Sequence, residues 1–344
     1  MPADPGPFGG QALLALPLTA RGAPLGMLVA DYDEPEHHFT PREMTLYTGI
    51  ANQVAGALES ALLAQEAAEA ARLEEELRVA RDIQTALLPA SGPGIDGWDI
   101  AVDWRSARLV GGDFYDFWRL PTRQGDKETR RQGDSNEAQL SLSPGLLVSR
   151  SSDRAALGFV VADVSDKGIP AAMFMALSRS LVRAAALDGS SPAVALGRAN
   201  RWIARDSESA MFVTLFYGIL QPDTGRLRYT CAGHNPPILY RAATGQVLEL
   251  TTPGIALGVL ENATLGEAEI ALERGDVLVC YTDGVTEAIN ASEEPFGTGR
   301  LVEAIVGDHA GSAAELVAAI NAALLRFTEG PPFDDLTLVV IKRV

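Results

Sequence analysis

The sequence predicts a layered α+β fold entered through one long helix. Three observations predict it. After Pro89 the chain alternates short apolar strands with helices. Successive strands meet across tight turns such as Pro222-Asp223-Thr224-Gly225, which indicates antiparallel pairing. Two helical patterns then follow one another between strands, where a repeated strand-helix-strand unit would place only one.

The elements can be justified in order. Residues 12–18 and 24–31 are apolar runs read as two strands, with Arg21-Gly22 in the turn between them. A two-stranded hairpin is marginal alone and leaves open edges, so another chain pairs with it or part of a domain is missing. Thr40-Pro41-Arg42-Glu43 is a helix start: Thr40 caps, Pro41 suits the first helical position and Glu43 completes a capping box. No proline follows until Pro89, so a helix over 41–88 is expected, about 70 Å long at the usual rise. Such a length suits a linker, either a coiled-coil homodimer or an interdomain stalk. Leu73, Leu77, Ala80 and Leu87 fit part of a heptad seam, but Gln84 stands where an apolar residue belongs. It either sets the register of a seam or marks where the helix leaves it. Strands are expected at 98–104, 112–120, 156–164, 212–221, 225–232, 276–282 and 335–343, and helices at 170–187, 192–206, 299–306 and 312–328. The polar stretch 122–154 reads as a disordered insertion.

Composition excludes several functions. With 344 residues, the chain has room for two domains or one domain with an appendage. A formal charge of −17 works against nucleic acid, whose phosphates are bound by clustered Lys and Arg. No apolar run approaches the roughly 20 residues that span a bilayer. Met1 to Gly10 has no basic residue ahead of an apolar stretch, so it does not read as a signal peptide. A soluble, cytoplasmic protein is expected. Cys231 and Cys280, both in apolar strand patterns, are expected to be buried free thiols.

Common motifs fall away on context. Gly92-Pro93-Gly94-Ile95-Asp96-Gly97 matches G-x-G-x-x-G in form, yet it follows a helix and precedes a strand. No P-loop, zinc-protease helix, EF-hand loop or nucleophile elbow occurs. Four histidines (37, 38, 234 and 309) show no triad pattern, and His234 reads first as part of a turn.

What remains is a set of aspartates at strand ends. Gly111-Gly112-Asp113-Phe114-Tyr115-Asp116 opens one strand. Val160 to Asp163 closes another and continues through Asp166 to a helix. Leu278 to Asp283 closes a third, and Asp334-Asp335 opens the last. An apolar strand delivers a carboxylate to a sheet edge with little freedom, and a neighbouring glycine permits close approach. Any one of these segments also fits ordinary turn and cap chemistry. Four together point to converging carboxylates, which repel one another unless cations neutralise them. Hard oxygen donors without His or Cys favour Mg²⁺ or Mn²⁺, and two such ions can activate water against a phosphoryl group.

These residues, with Met211-Phe212-Val213-Thr214-Leu215 and Ala232-Gly233-His234-Asn235-Pro236-Pro237, resemble the PPM-type serine/threonine phosphatases of the SpoIIE/RsbU kind. The motifs run in order over residues 80–344. The resemblance implies an αββα sandwich over 89–344, two antiparallel sheets flanked by helices. It implies two Mn²⁺ or Mg²⁺ ions held by Asp113, Asp163, the Val164 carbonyl, Asp283 and Asp334. Asp113 and Asp163 would lie between the ions, and Asp283 and Asp334 would each hold one side. Asp116, Asp166 and Asp335 would either ligate directly or stand in an outer shell or structural role, with Gly112 and Gly284 also in the outer shell. It also implies a phosphorylated protein substrate of the anti-sigma-factor antagonist type. A weaker resemblance, on Pro17-Leu18, Gly26-Met27-Leu28 and Phe39-Thr40 with Glu43, is to the last part of a GAF sensor domain over 1–60. A helix entering at Ile83–Leu88 would then be placed to gate metal binding. Two competing functions remain, a non-catalytic scaffold for the same partner and a phosphatase for small metabolites.

Overall fold

The computed structural model describes residues 12–32, 37–121, 155–206, 211–328 and 334–344; the expected insertion at 122–154 lies outside them. The chain divides into two compact units, 1–78 and 79–344.

In the first unit, β1 (Ala12–Ala20) and β2 (Ala23–Tyr32) pair antiparallel around the Arg21-Gly22 turn, with Leu16 opposite Leu28. Leu18 packs with Ala51 and Ala55 of α1 (Pro41–Leu87). The expected capping box opens this helix: the Thr40 N–H donates to Glu43 Oε2 at 2.7 Å, and the Glu43 N–H donates to Thr40 Oγ1 at 3.3 Å.

The second unit is an α+β sandwich. One sheet has the order β10-β7-β6-β5-β4, from β4 (Phe114–Leu120), β5 (Ala156–Val164), β6 (Val213–Gln221), β7 (Arg226–Ala232) and β10 (Ala268–Ala271). The other has the order β3-β12-β11-β8-β9, from β3 (Trp98–Arg105), β8 (Ile238–Tyr240), β9 (Val247–Glu249), β11 (Val277–Tyr281) and β12 (Leu336–Arg343). All their pairings are antiparallel. Helices α2 (Ile169–Ala186) and α3 (Pro192–Asp206) pack on the first sheet. Helices α5 (Gly297–Asp308) and α6 (Ala313–Phe327) pack on the second.

Strand alternation explains the layering. Leu278, Cys280, Val339 and Ile341 belong to the core between the sheets. Their neighbours Val277, Val279, Leu338 and Val340 belong to the core under α5 and α6. Side chains of period two thus feed two hydrophobic layers from one strand, and a one-residue slip would exchange them. Cys231 and Cys280 are free and buried.

The expected strands and helices all form. The three short strands β8, β9 and β10 were not expected, nor was the single helical turn α4 (Asp283–Thr286). No helix among the described residues is long and apolar enough to cross a membrane.

Candidate active site

The two sheets each send aspartates to the same cluster. From the first come Asp113, just before β4, and Asp163, in β5. From the second come Asp283, just after β11, and Asp334 and Asp335, just before β12. Close approach there depends on glycine. A Cβ on Gly112 would sit 3.0 Å from the Val164 carbonyl oxygen, and a Cβ on Gly284 would collide with the Asp335 carbonyl.

Asp113 is almost fully buried. The hydroxyls of Thr282 and Thr337 both donate to its Oδ2, at 2.6 and 2.7 Å, and the indole of Trp104 donates to its carbonyl at 3.1 Å. Burial and the adjacent Asp163 nevertheless hold its carboxyl well above the ordinary range. Asp163 is pushed up to about 7, first by burial and then by the charge of Asp283, with Asp334 and Asp335 adding to it. Asp283 is pushed up to about 6 by burial, then by Glu287 and Asp334. Five candidate carboxylates thus lie within reach of one another's charge, with Asp113, Asp163 and Asp283 poorly solvated.

Asp335 braces the loop that carries Asp113. It accepts from the Ala107 N–H at 2.8 Å and the Gly112 N–H at 2.6 Å. A second brace comes from the end of α1. The buried Gln84 amide donates to the Gly111 carbonyl and accepts from the Gly111 N–H at 3.1 Å, so it pairs with backbone as a strand neighbour would.

The remaining sequence candidates lie at varied distances from this centre. Asp116 is buried against Arg179 at 2.8 Å and Arg183 at 3.0 Å, where it ties β4 to α2. Asp166 accepts from the Lys167 N–H at 2.8 Å in the turn leading to α2. His234 meets the Thr214 hydroxyl at 2.9 Å, and that hydroxyl donates to the Asp163 carbonyl at 3.3 Å. Burial brings the His234 ring down to about 4, so it is neutral near pH 7 and ill suited to shuttle protons there.

The donor set suits a hard divalent cation: it is all oxygen, and its crowded acids outnumber the one ammonium, that of Lys167, paired with them. Even so, among the described residues no three His, Cys, Asp or Glu side chains converge tightly enough to enclose an ion as they stand. Asp334 Oδ2 is paired with Lys167 Nζ at 2.8 Å, and Asp113 is turned toward the two threonine hydroxyls. Lys167, Gln84, Thr282 and Thr337 were not among the sequence candidates. Thr282 lies inside a strand-end segment already named, Lys167 directly follows Asp166, Thr337 stands two residues beyond Asp335, and Gln84 signalled itself by breaking the apolar seam.

Comparison with known proteins agrees with this fold. The family model for Stage II sporulation protein E (SpoIIE) matches residues 153–344, and the GAF domain model matches residues 2–58. Protein IcfG of Synechocystis sp. is 31% identical over 82% of this chain, which spans 43% of that protein's length. Phosphoserine phosphatase RsbU of Bacillus subtilis is 27% identical, with 79% of this chain and 71% of RsbU covered. Among solved structures, the SiaA PP2C domain of Pseudomonas aeruginosa superposes with a TM-score of 0.60 at 22% identity, over 81% of this chain and 99% of that domain. The two-sheet sandwich and the family match agree: the chain belongs to the SpoIIE family, its sandwich has the fold of the SiaA PP2C domain, and a segment that matches the GAF domain model precedes it.

Proposed function

We propose that the chain is a serine/threonine phosphoprotein phosphatase that works with two divalent cations, Mn²⁺ or Mg²⁺. The observation that carries this reading is the cluster of buried, mutually repelling carboxylates fed by both sheets. Asp113, Asp163, Asp283, Asp334 and the Val164 carbonyl would hold the cations. When bound, the cations would supply an activated water and charge neutralisation for in-line displacement at phosphorus. The chain's own residues do the positioning. Thr282 and Thr337 fix the Asp113 carboxylate, and Asp335 and Gln84 hold the loop before it. Asp166, Gly112 and Gly284 shape the surrounding backbone.

The substrate in this reading is a phosphoserine or phosphothreonine on an anti-sigma-factor antagonist in the cytoplasm. Its support is the likeness to a protein named as a phosphoserine phosphatase. Residues 1–60 would be a sensor remnant, 41–88 a linker helix pairing two copies as a coiled coil, and 89–344 the catalytic domain.

The test is hydrolysis of a phosphoserine peptide and of p-nitrophenyl phosphate, with and without Mn²⁺, by wild type, Asp163→Ala and Asp283→Ala. Mn²⁺-dependent turnover lost in both variants is expected. A wild type that neither turns over nor binds Mn²⁺ would overturn the reading and favour a scaffold. Turnover of sugar phosphates in preference to phosphopeptides would favour the small-metabolite alternative.

A further inference from the structure

Lys167 brings an ammonium into the carboxylate cluster, and the backbone is built to put it there. Ser165 is fixed to Phe212 from both sides: its N–H donates to the Phe212 carbonyl and its Oγ accepts the Phe212 N–H, each at 2.9 Å. The chain then passes through Asp166 at φ 78° and Gly168 at φ 83° before α2 begins. Left-handed backbone at a non-glycine residue is uncommon, and Asp166 tolerates it by accepting the next N–H on its own carboxylate. Two left-handed residues thus flank Lys167 and fix where its side chain leaves the backbone.

One partner it meets is Asp334, a proposed cation ligand. The pair remains open to water, with 36% of the Lys167 side chain and 27% of the Asp334 side chain exposed. Ion pairs this exposed are weak and exchange readily. A divalent cation claiming Asp334 would draw away the carboxylate's charge while the loop keeps the ammonium at the rim of the cluster. A lysine there is a mobile point charge with three donors, the chemistry that phosphate monoester dianions are bound by.

We propose that Lys167 binds the phosphoryl group of the substrate, exchanging Asp334 for phosphate oxygens once the carboxylates hold their cations. The proposal rests on the two-cation reading above. Its ligand class is a phosphate monoester dianion or free inorganic phosphate, the product.

Two calorimetric titrations on the full chain separate the proposal from that reading. The first adds Mn²⁺ to wild type, Lys167→Gln and Lys167→Arg. The second adds inorganic phosphate to each Mn²⁺-loaded protein. Lys167→Gln should bind Mn²⁺ at least as tightly as wild type, because a competing positive charge is gone. Its phosphate affinity should fall about tenfold or more, the loss of one charge-assisted hydrogen bond. Lys167→Arg should keep most of the phosphate affinity, and KM for a phosphoserine peptide should follow the same order. Retained Mn²⁺ binding also shows that the variant is folded. Unchanged phosphate affinity in Lys167→Gln would overturn the assignment, as would loss of Mn²⁺ and phosphate binding together. A wild type that binds no Mn²⁺ would instead remove the two-cation reading itself.

Discussion

Asp163, with its carboxyl raised to about 7, reverses the usual effect of acid on this part of the protein. In the unfolded chain the group would titrate near its ordinary value of 3.8, so between about pH 4 and 7 the folded state holds the extra proton. Stability from this group is therefore greatest in acid and falls as pH rises toward 7. Asp283, raised to about 6, adds to the same slope over a narrower window. Chelator-treated wild type should accordingly lose more stability between pH 5.5 and 8 than Asp163→Asn, read as the difference between their melting temperatures. Equal pH slopes in the two proteins would refute it. Adding Mn²⁺ should turn the trend around, since cation binding requires deprotonated carboxylates and strengthens with pH. The aspartates were legible in the sequence because four apolar strand ends carry them together, although each alone fits turn and cap chemistry. The hydroxyls of Thr282 and Thr337 were not. A threonine beside an aspartate is common in any strand, and only the pairing of β11 with β12 turns both toward Asp113.

At the scale of elements, the end of α1 and the loop before β4 form one joint through a single side chain. Gln84 satisfies both backbone groups of Gly111, and Tyr115 of β4 donates its hydroxyl to the Pro89 carbonyl at 2.6 Å just beyond the helix. Gln84→Ala would leave a buried N–H and a buried C=O unpaired, at a cost of about 1–3 kcal/mol for each that water cannot reach. It should also slacken the support of Asp113, for which outer-shell losses suggest a roughly 10–100-fold drop in metal affinity. Urea denaturation and Mn²⁺ titration of Gln84→Ala and Gln84→Glu would check both effects. Wild-type Mn²⁺ affinity in Gln84→Ala would show that the joint does not reach the site. From sequence, the heptad pattern exposed Gln84 as a misfit but could not supply its partner, which lies 27 residues away. Long amphipathic and alternating segments were legible because their period is set by their own burial. The strands β8 and β9 were not, since three residues carry no period and are extended by their neighbours in the sheet.

Across the whole second unit, the candidate ligands are shared between sheets that are otherwise joined by apolar packing. Asp113 and Asp163 belong to one sheet, while Asp283 and Asp334 flank strands of the other. Cations held by both sets would therefore crosslink the sandwich at the end where its carboxylates now repel one another. That repulsion works against closure of the sheets, and the net charge of −17 adds a diffuse contribution of the same sign. Binding to the folded state alone should stabilise it by about 2.7 kcal/mol when free Mn²⁺ reaches 100 times its dissociation constant. For a domain of this size that corresponds to a rise of roughly 5–10 °C in melting temperature. Asp163→Ala and Asp334→Ala remove a ligand from each sheet in turn, so each should abolish most of the rise. A nonspecific charge effect would behave differently, because moderate NaCl would then reproduce the shift, in wild type and variants alike. A Mn²⁺-induced rise that survives in both variants would mean that the cation does not join the two sheets through these aspartates.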